Sequence, residues 1–261
     1  MASTLRRPLI AGNWKMHLTL AESVALAKAI RDAAPSSPCE TALFVPFTAV
    51  TVVAEVLKGS SVRLGGQNMH WEKQGAFTGE ISAAQLKDAG CGMVLLGHSE
   101  RRRLFGDTDE GIAKKLKAAL EGGLTPVVCV GETLDERETQ KTFQVLKRQL
   151  ENGTKGFGPA ELARIVIAYE PVWAIGTGKT ATPTQAQDAH LFIRKTMAGL
   201  FGEGLAAGLR ILYGGSVKPD NIDELMSQPD LDVALVGGES LKADGFKRIM
   251  NFKTTEISGK K

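Results

Sequence analysis

Glu170 stands directly after the apolar run Ile165–Val166–Ile167–Ala168–Tyr169, and Pro171 fixes the backbone on its far side. Val172, Trp173, Ala174 and Ile175 follow, then Gly176, Thr177, Gly178, Lys179 and Thr180. A lone carboxylate at a strand end, joined to an apolar loop bounded by proline and glycine, has the parts for proton abstraction under a lid that swings shut against water. That chemistry needs electrophilic donors opposite the base, and they must come from elsewhere in the chain.

Two motif matches in this stretch fail on inspection. Gly178–Lys179–Thr180 looks like the end of a phosphate-binding P-loop, but the glycine required five residues earlier is Trp173. Gly176 through Ala181 fits the loose dinucleotide fingerprint. The next helix opens only at Thr182–Pro183, too late for the second glycine, and no suitable acid lies about twenty residues on.

Runs rich in Val, Ile and Leu recur near 8–12, 41–45, 62–66, 93–97, 125–130, 165–169, 209–213 and 232–236. Most lack polar alternation, as parallel strands buried on both faces do. Amphipathic segments separate them and carry start signals. Thr19 with Glu22 and Asp107 with Glu110 read as capping boxes, and Thr182 with Gln185 has Pro183 at the first helical position. Ala186, Ala189, Ile193, Met197 and Leu200 then form one apolar stripe, and Gly122–Gly123 closes the helix before the fifth strand. Eight such units with no linker or change of composition predict an α/β fold: a single (β/α)8 TIM barrel of eight parallel strands and outer helices, spanning 1–261 with a short flexible tail near 256–261. An open doubly wound sheet usually has fewer strands and a switch point.

Bulk properties agree with a soluble enzyme. The 261 residues are 43% hydrophobic and 23% charged, with a net charge of +3, too small to point to nucleic acid or a membrane surface as a partner. Cys39, Cys91 and Cys129 form no CxxC pair and are odd in number, so reduced thiols in a cytoplasmic protein are expected. Arg6 and Arg7 precede only a brief apolar stretch, which reads as a first strand and not a secretory signal, and no run has the length of a membrane helix. The sequon Asn152–Gly153–Thr154 carries no weight without a signal.

In a parallel barrel every segment after a strand lies on one face. That face collects Asn13 and Lys15, Gln67 and Asn68, His98, Ser99 and Glu100, Glu132, Glu170, and the turns Gly214–Gly215–Ser216 and Gly237–Gly238. Bare N–H groups after the seventh and eighth strands are the usual phosphate grip of such a barrel. Taken singly, each has a bland explanation. A histidine at a strand end is more often packed and hydrogen-bonded than catalytic, Lys15 alone is a solvated charge, Glu100 fits a surface ion-pair cluster with Arg101–Arg103, and glycine pairs make tight turns. Convergence from separate strands favours function. The four histidines, His17, His70, His98 and His190, have no metal-ligand spacing.

Gly12–Asn13–Trp14–Lys15–Met16, Gly97–His98–Ser99–Glu100–Arg101–Arg102, Ala168 through Thr180, Tyr213–Gly214–Gly215–Ser216–Val217 and Val236–Gly237–Gly238 resemble the triosephosphate isomerase family, in order and spacing, over essentially the whole chain. Gly75–Ala76–Phe77–Thr78–Gly79–Glu80 is similar to that family's interdigitating loop. The resemblance implies interconversion of dihydroxyacetone phosphate and D-glyceraldehyde 3-phosphate in glycolysis and gluconeogenesis, with no cofactor and no metal. It implies that Glu170 shuttles the proton through an enediol(ate). His98 then polarises the carbonyl as a neutral imidazole whose pKa a helix N-terminus lowers, a tuning for which this family is the usual illustration.

By the same resemblance Lys15 supplies positive charge, Asn13 orients substrate, Glu100 holds Lys15, and main-chain N–H groups around Gly176, Ser216, Gly237 and Gly238 bind phosphate. Pro171 to Thr180 form the lid. A homodimer is implied, with Thr78 near the partner's Asn13 and the partner's Lys15. Glu239 departs from the family, which commonly has a small residue there; a carboxylate aimed at the phosphate weakens binding, whereas one turned outward, the expected case, does not. The alternatives are another sugar-phosphate isomerase or epimerase, which has no reason to carry Lys15, His98, Glu170 and this lid together, and a catalytically silent phosphate-binding barrel, which predicts damage at one of those positions.

Overall fold

A computed structural model of the chain describes residues 6–176 and 179–253. The tail expected near 256–261 lies outside these residues. β1 (Leu9–Asn13) leads through α1 (Leu20–Ala33) to β2 (Glu40–Val45), and α2 (Val50–Leu57) leads to β3 (Arg63–Gly66). α3 (Ala83–Asp88) precedes β4 (Met93–Leu96), while α4 (Ser99–Phe105) and α5 (Asp109–Glu121) precede β5 (Thr125–Val130). α6 (Leu134–Glu138), α7 (Thr142–Gly153) and α8 (Pro159–Leu162) bring the chain to β6 (Val166–Tyr169). α9 (Pro183–Phe201) and α10 (Glu203–Gly208) lead to β7 (Arg210–Tyr213), then α11 (Ile222–Met226) to β8 (Val233–Val236) and α12 (Ala243–Met250).

The strands form a closed barrel in sequence order, all parallel, with Leu9 of β1 paired to Val233 of β8 at the seam. Each expected strand lies within one residue of its observed ends. Continuous runs of Val, Ile and Leu make this possible, because a strand between a filled barrel and a helix layer has no wet face. All five residues of β1 are buried, as are all four of β4 and of β6. No helix among the described residues is long and apolar enough to cross a membrane.

The capping boxes at Thr19–Glu22 and Thr182–Gln185 are present, the latter with Pro183 in the first turn. The start of α5 differs from expectation. Its N-cap is Thr108, whose hydroxyl accepts from Gly111 N–H at 3.1 Å. Asp107 turns inward to Lys115 and Arg101, at 2.9 and 3.1 Å. Lys115 is only 5% exposed, and a buried ammonium requires a partner more than the helix requires that particular cap. In α9 the stripe holds through Met197, but Leu200 is exposed and Phe201 packs on the core in its place.

Candidate active site

Glu170 follows β6 at the C-terminal end of the barrel. Its N–H donates to Val130 O at 2.7 Å, which draws its backbone against Gly131. A Cβ at 131 would collide with Glu170 O, so only glycine allows this approach. The side chain is buried. Oε2 accepts from Ser99 N–H at 2.8 Å, and Oε1 lies 3.0 Å from His98 Nε2 without hydrogen-bond alignment, leaving Oε1 without a hydrogen-bond partner among the described residues. Burial pushes the carboxyl pKa up, but His98, the Ser99 N–H and Lys15 outweigh it and hold the pKa below its ordinary value.

His98 caps α4. Its Nδ1 accepts from Glu100 N–H at 3.2 Å, which assigns the single proton of the neutral ring to Nε2, the nitrogen facing Glu170. The expectation of a lowered pKa requires correction for this arrangement. Burial does disfavour the imidazolium, yet the Glu170 carboxylate beside it raises the pKa above the ordinary value. The Glu100 N–H that Nδ1 accepts works in the opposite sense, because protonating that nitrogen breaks the bond. The upward push depends on Glu170 remaining turned to His98.

Lys15 has a left-handed backbone, φ +52°, which is strained for a residue with a Cβ. Two side chains brace it. Asn13 Oδ1 accepts from Lys15 N–H at 3.1 Å, and Gln67 Nε2 donates to Lys15 O at 2.9 Å. The ammonium then donates to Glu100 Oε1 across 2.6 Å, so Glu100 belongs with the site and not with a surface cluster. Asn68 lies apart from this bracing and accepts from Lys115 at 2.9 Å.

Asn13, Lys15, His98 and Glu170 line a cavity of about 430 Å³. Gly176, Ser216, Gly237 and Gly238 line the same cavity, as Gly214 and Gly215 do. The turns are held from behind: Asn221 Nδ2 donates to Ser216 O at 3.1 Å, and Ser240 Oγ to Gly237 O at 2.6 Å. Lys218, Glu239 and Lys242 line the cavity as well. Glu239 is not turned fully outward, since it borders the cavity, but its carboxylate is engaged by Lys242 at 2.8 Å. A buried carboxylate, an imidazole and an ammonium sharing one cavity with glycine-rich turns suit a small phosphorylated carbonyl compound.

Pro171 leads into a single 3-10 turn, Val172–Ala174, then Ile175 and Gly176. Ala174, Ile175 and Gly176 border the cavity; Thr177 and Gly178 lie outside the described residues, while Lys179 and Thr180 are exposed. Glu132, expected on the open face, is instead fully buried outside the cavity. It accepts from Tyr169 OH, Trp173 Nε1 and Arg137. Thr78 is exposed and lies outside this cavity. A second cavity of about 210 Å³ opens beside Lys15 and Glu100, with Met16, Phe47 and Phe105 around it. Sequence reasoning missed the functions of Ser99 N–H, Gly131, Gln67 and Glu132; Gln67, Ser99 and Glu132 stood among the strand-end polar residues, whereas Gly131 carried no visible signal.

A family model described as triosephosphate isomerase matches residues 8–253. The chain is 55% identical over 250 residues to triosephosphate isomerase of Pelobacter propionicus, covering 95% of this chain and 100% of that protein. It is 53% identical to that of Geobacter metallireducens over 250 residues, with the same coverage. The crystal structure of triosephosphate isomerase from Bartonella henselae superposes with a TM-score of 0.84 at 43% identity, covering 93% of this chain and 97% of that one.

Proposed function

The chain belongs to the triosephosphate isomerase family, and we propose that it interconverts dihydroxyacetone phosphate and D-glyceraldehyde 3-phosphate with Glu170 as base, His98 and Lys15 as electrophiles and Asn13 as the orienting group. The reaction belongs to glycolysis and gluconeogenesis. The observation that carries the assignment is the convergence of Glu170, His98 and Lys15 on one cavity that Ser216, Gly237 and Gly238 also line.

The phosphate sits against main-chain N–H groups at Gly176, Ser216, Gly237 and Gly238, which fixes the carbonyl end between His98 and Glu170. Glu170 turns from Ser99 and takes the proton from the carbon beside the carbonyl. In doing so it leaves the contacts that depress its pKa, and burial then strengthens it as a base. The His98 Nε2–H and the Lys15 ammonium stabilise the charge that develops on oxygen. Glu170 returns the proton to the neighbouring carbon while His98 Nε2 gives its proton to one oxygen and takes the hydroxyl proton from the other, so the products balance as isomers. Glu100 acts through Lys15, which it positions. The lid, Pro171 to Thr180, excludes water from the enediolate and hinders loss of phosphate.

The whole chain, 1–261, acts as one catalytic barrel in this proposal, in the cytoplasm, where the free thiols Cys39, Cys91 and Cys129 are at home. A homodimer accompanies it. Exposed Met16, Phe77, Leu104 and Phe105, with the cavity beside Lys15, support a second copy whose Thr78 loop docks there. Sedimentation showing a fully active monomer at micromolar concentration would refute the dimer.

The test of the reaction is isomerisation of D-glyceraldehyde 3-phosphate, coupled to glycerol-phosphate dehydrogenase, in the parent and in Glu170→Gln. Fast turnover in the parent and a loss of at least about 10³-fold in the variant are expected. A well-folded parent with no turnover sinks the proposal.

A further inference from the structure

We infer that Lys242 and Gly245 are positioning residues for the phosphate end of the cavity, because together they hold the Glu239 carboxylate off the bound anion; the inference rests on the phosphate subsite proposed above. Glu239 directly follows Gly237–Gly238, a turn that lines the cavity, and it lines that cavity together with Lys242. A carboxylate there opposes a phosphate dianion unless something neutralises or removes it.

Two features do so. Lys242 Nζ donates to Glu239 Oε1 at 2.8 Å. Glu239 Oε2 rests over Gly245, in the first turn of α12, where a helix start favours an anion. The room for that oxygen comes from a missing side chain. A Cβ built at 245 would meet Oε2 at 2.5 Å, and its next contacts, Glu239 Cδ and O at 3.7 Å, also belong to Glu239. No other residue supplies one of its three nearest atoms. Gly245 does not have the left-handed φ that calls for glycine, and alanine is the better helix former at such a place. Glycine at 245 therefore serves the carboxylate and not the helix.

The geometry makes the pair separable from the rest of the site. Glu239 is largely sheltered, with 21% of its side chain exposed, whereas Lys242 is 69% exposed and acts from solvent. Displacing the carboxylate moves a negative charge towards the cavity without touching Glu170, His98 or Lys15. Its effect falls on anion binding, which appears in KM and not in kcat.

The experiment compares the parent, Gly245→Ala, Glu239→Ala and the double variant by calorimetric titration with inorganic phosphate and by the kinetics of D-glyceraldehyde 3-phosphate. Alanine at 245 favours the helix, and the only atom it crowds is the end of a flexible side chain, so folding is not at risk. Gly245→Ala is expected to weaken phosphate binding and raise KM about three- to tenfold with kcat unchanged, a modest effect because solvent screens the rim. The double variant is expected to match Glu239→Ala in both readouts. Parental affinity in Gly245→Ala overturns the inference, as does a loss that persists in the double variant, or a parent that binds no phosphate. A parent that binds phosphate with the expected pattern but does not isomerise removes the proposed reaction and leaves the rim standing. A parent that isomerises while Gly245→Ala changes nothing removes the rim alone.

Discussion

The indole N–H of Trp173 donates to Glu132 Oε1 across 2.8 Å, tying the first turn of the proposed lid to the residue that follows Gly131 at the end of β5. The same oxygen accepts from Tyr169 OH at 3.1 Å and from Arg137 at 3.2 Å, and the Arg137 guanidinium also lies 4.9 Å over the Trp173 ring. Trp173→Phe keeps the stacked ring and removes the hydrogen bond, which to a buried carboxylate is worth about 1.5–3 kcal/mol. The expected result is a lid whose first turn opens more readily, so that trypsin cleaves after the exposed Lys179 about tenfold faster or more, the equilibrium factor such a loss provides. Equal cleavage rates would show that this bond does not hold the lid.

Ser99 offers a test of how Glu170 is held. Its N–H is the donor to Glu170 Oε2, and it is the first residue of α4, where proline is tolerated. His98 before it has φ −51° and ψ 141°, the extended conformation that a residue preceding proline prefers. Ser99→Pro therefore deletes the hydrogen bond and puts the ring Cδ where the hydrogen was, so the Glu170 carboxylate must shift off the helix start. That bond lowers the Glu170 pKa, so its loss raises it. The base works ionised, and kcat/KM falls as pH drops through the free enzyme's carboxyl pKa; the acid limb is expected to move to higher pH in the variant. The substrate phosphate titrates alike with both proteins, so the shift between them reports on the enzyme. Superimposable limbs would sink the assignment.

The strands were legible because a strand buried on both faces is written as an unbroken apolar run, as in Ile165 to Tyr169, repeated eight times between amphipathic segments. Lys15, His98 and Glu170 were legible because a parallel barrel sends every strand end to one face. What stayed hidden works through backbone or through absence. Ser99 contributes an N–H that any residue but proline has, Gly131 and Gly245 contribute the lack of a Cβ, and the partners that require this lie 39 and 6 residues away, at Glu170 and Glu239. The one-residue error at α5 has the same origin. Asp107 and Thr108 are both good caps locally, and buried Lys115, two turns on, decides between them.

Glu100 and Lys15 form a pair whose effects are expected not to add. Glu100 is half-exposed and acts by fixing the ammonium 2.6 Å away, so Glu100→Gln, which keeps an acceptor and loses the charge, is expected to lower kcat/KM about tenfold. Lys15→Met removes the cation itself and is expected to cost at least about 10²-fold. Because Glu100 works through Lys15, the double variant is expected to match Lys15→Met. Full additivity of the two losses would mean that Glu100 acts on the reaction by another route, such as its 3.6 Å approach to His98 Nδ1.

His190 sets an acid limit on stability. The ring is fully buried, perpendicular to the Tyr169 ring and with Nδ1 3.2 Å from Asp230 O. A carbonyl only accepts, so Nδ1 carries the proton and Nε2 is left as an unpartnered acceptor among the described residues. Burial pushes the pKa down; the Asp230 carbonyl opposes this and the Arg194 charge adds to it, with the result about 3 against an ordinary 6.5. The unfolded chain therefore binds a proton below pH 6.5 that the folded chain refuses until about pH 3. The stability this histidine permits is fully present above pH 6.5 and is lost as pH falls below it, at about 1.4 kcal/mol per unit, or roughly 2 kcal/mol by pH 5. His190→Asn keeps a side-chain donor and cannot titrate. Urea unfolding at pH 7.5 and pH 5.0, at one fixed protein concentration, is expected to show a pH-dependent loss about 2 kcal/mol smaller in the variant, whatever its absolute stability. An identical loss in both proteins would mean that His190 is already protonated in the fold, or that the carboxylates alone govern the acid limb.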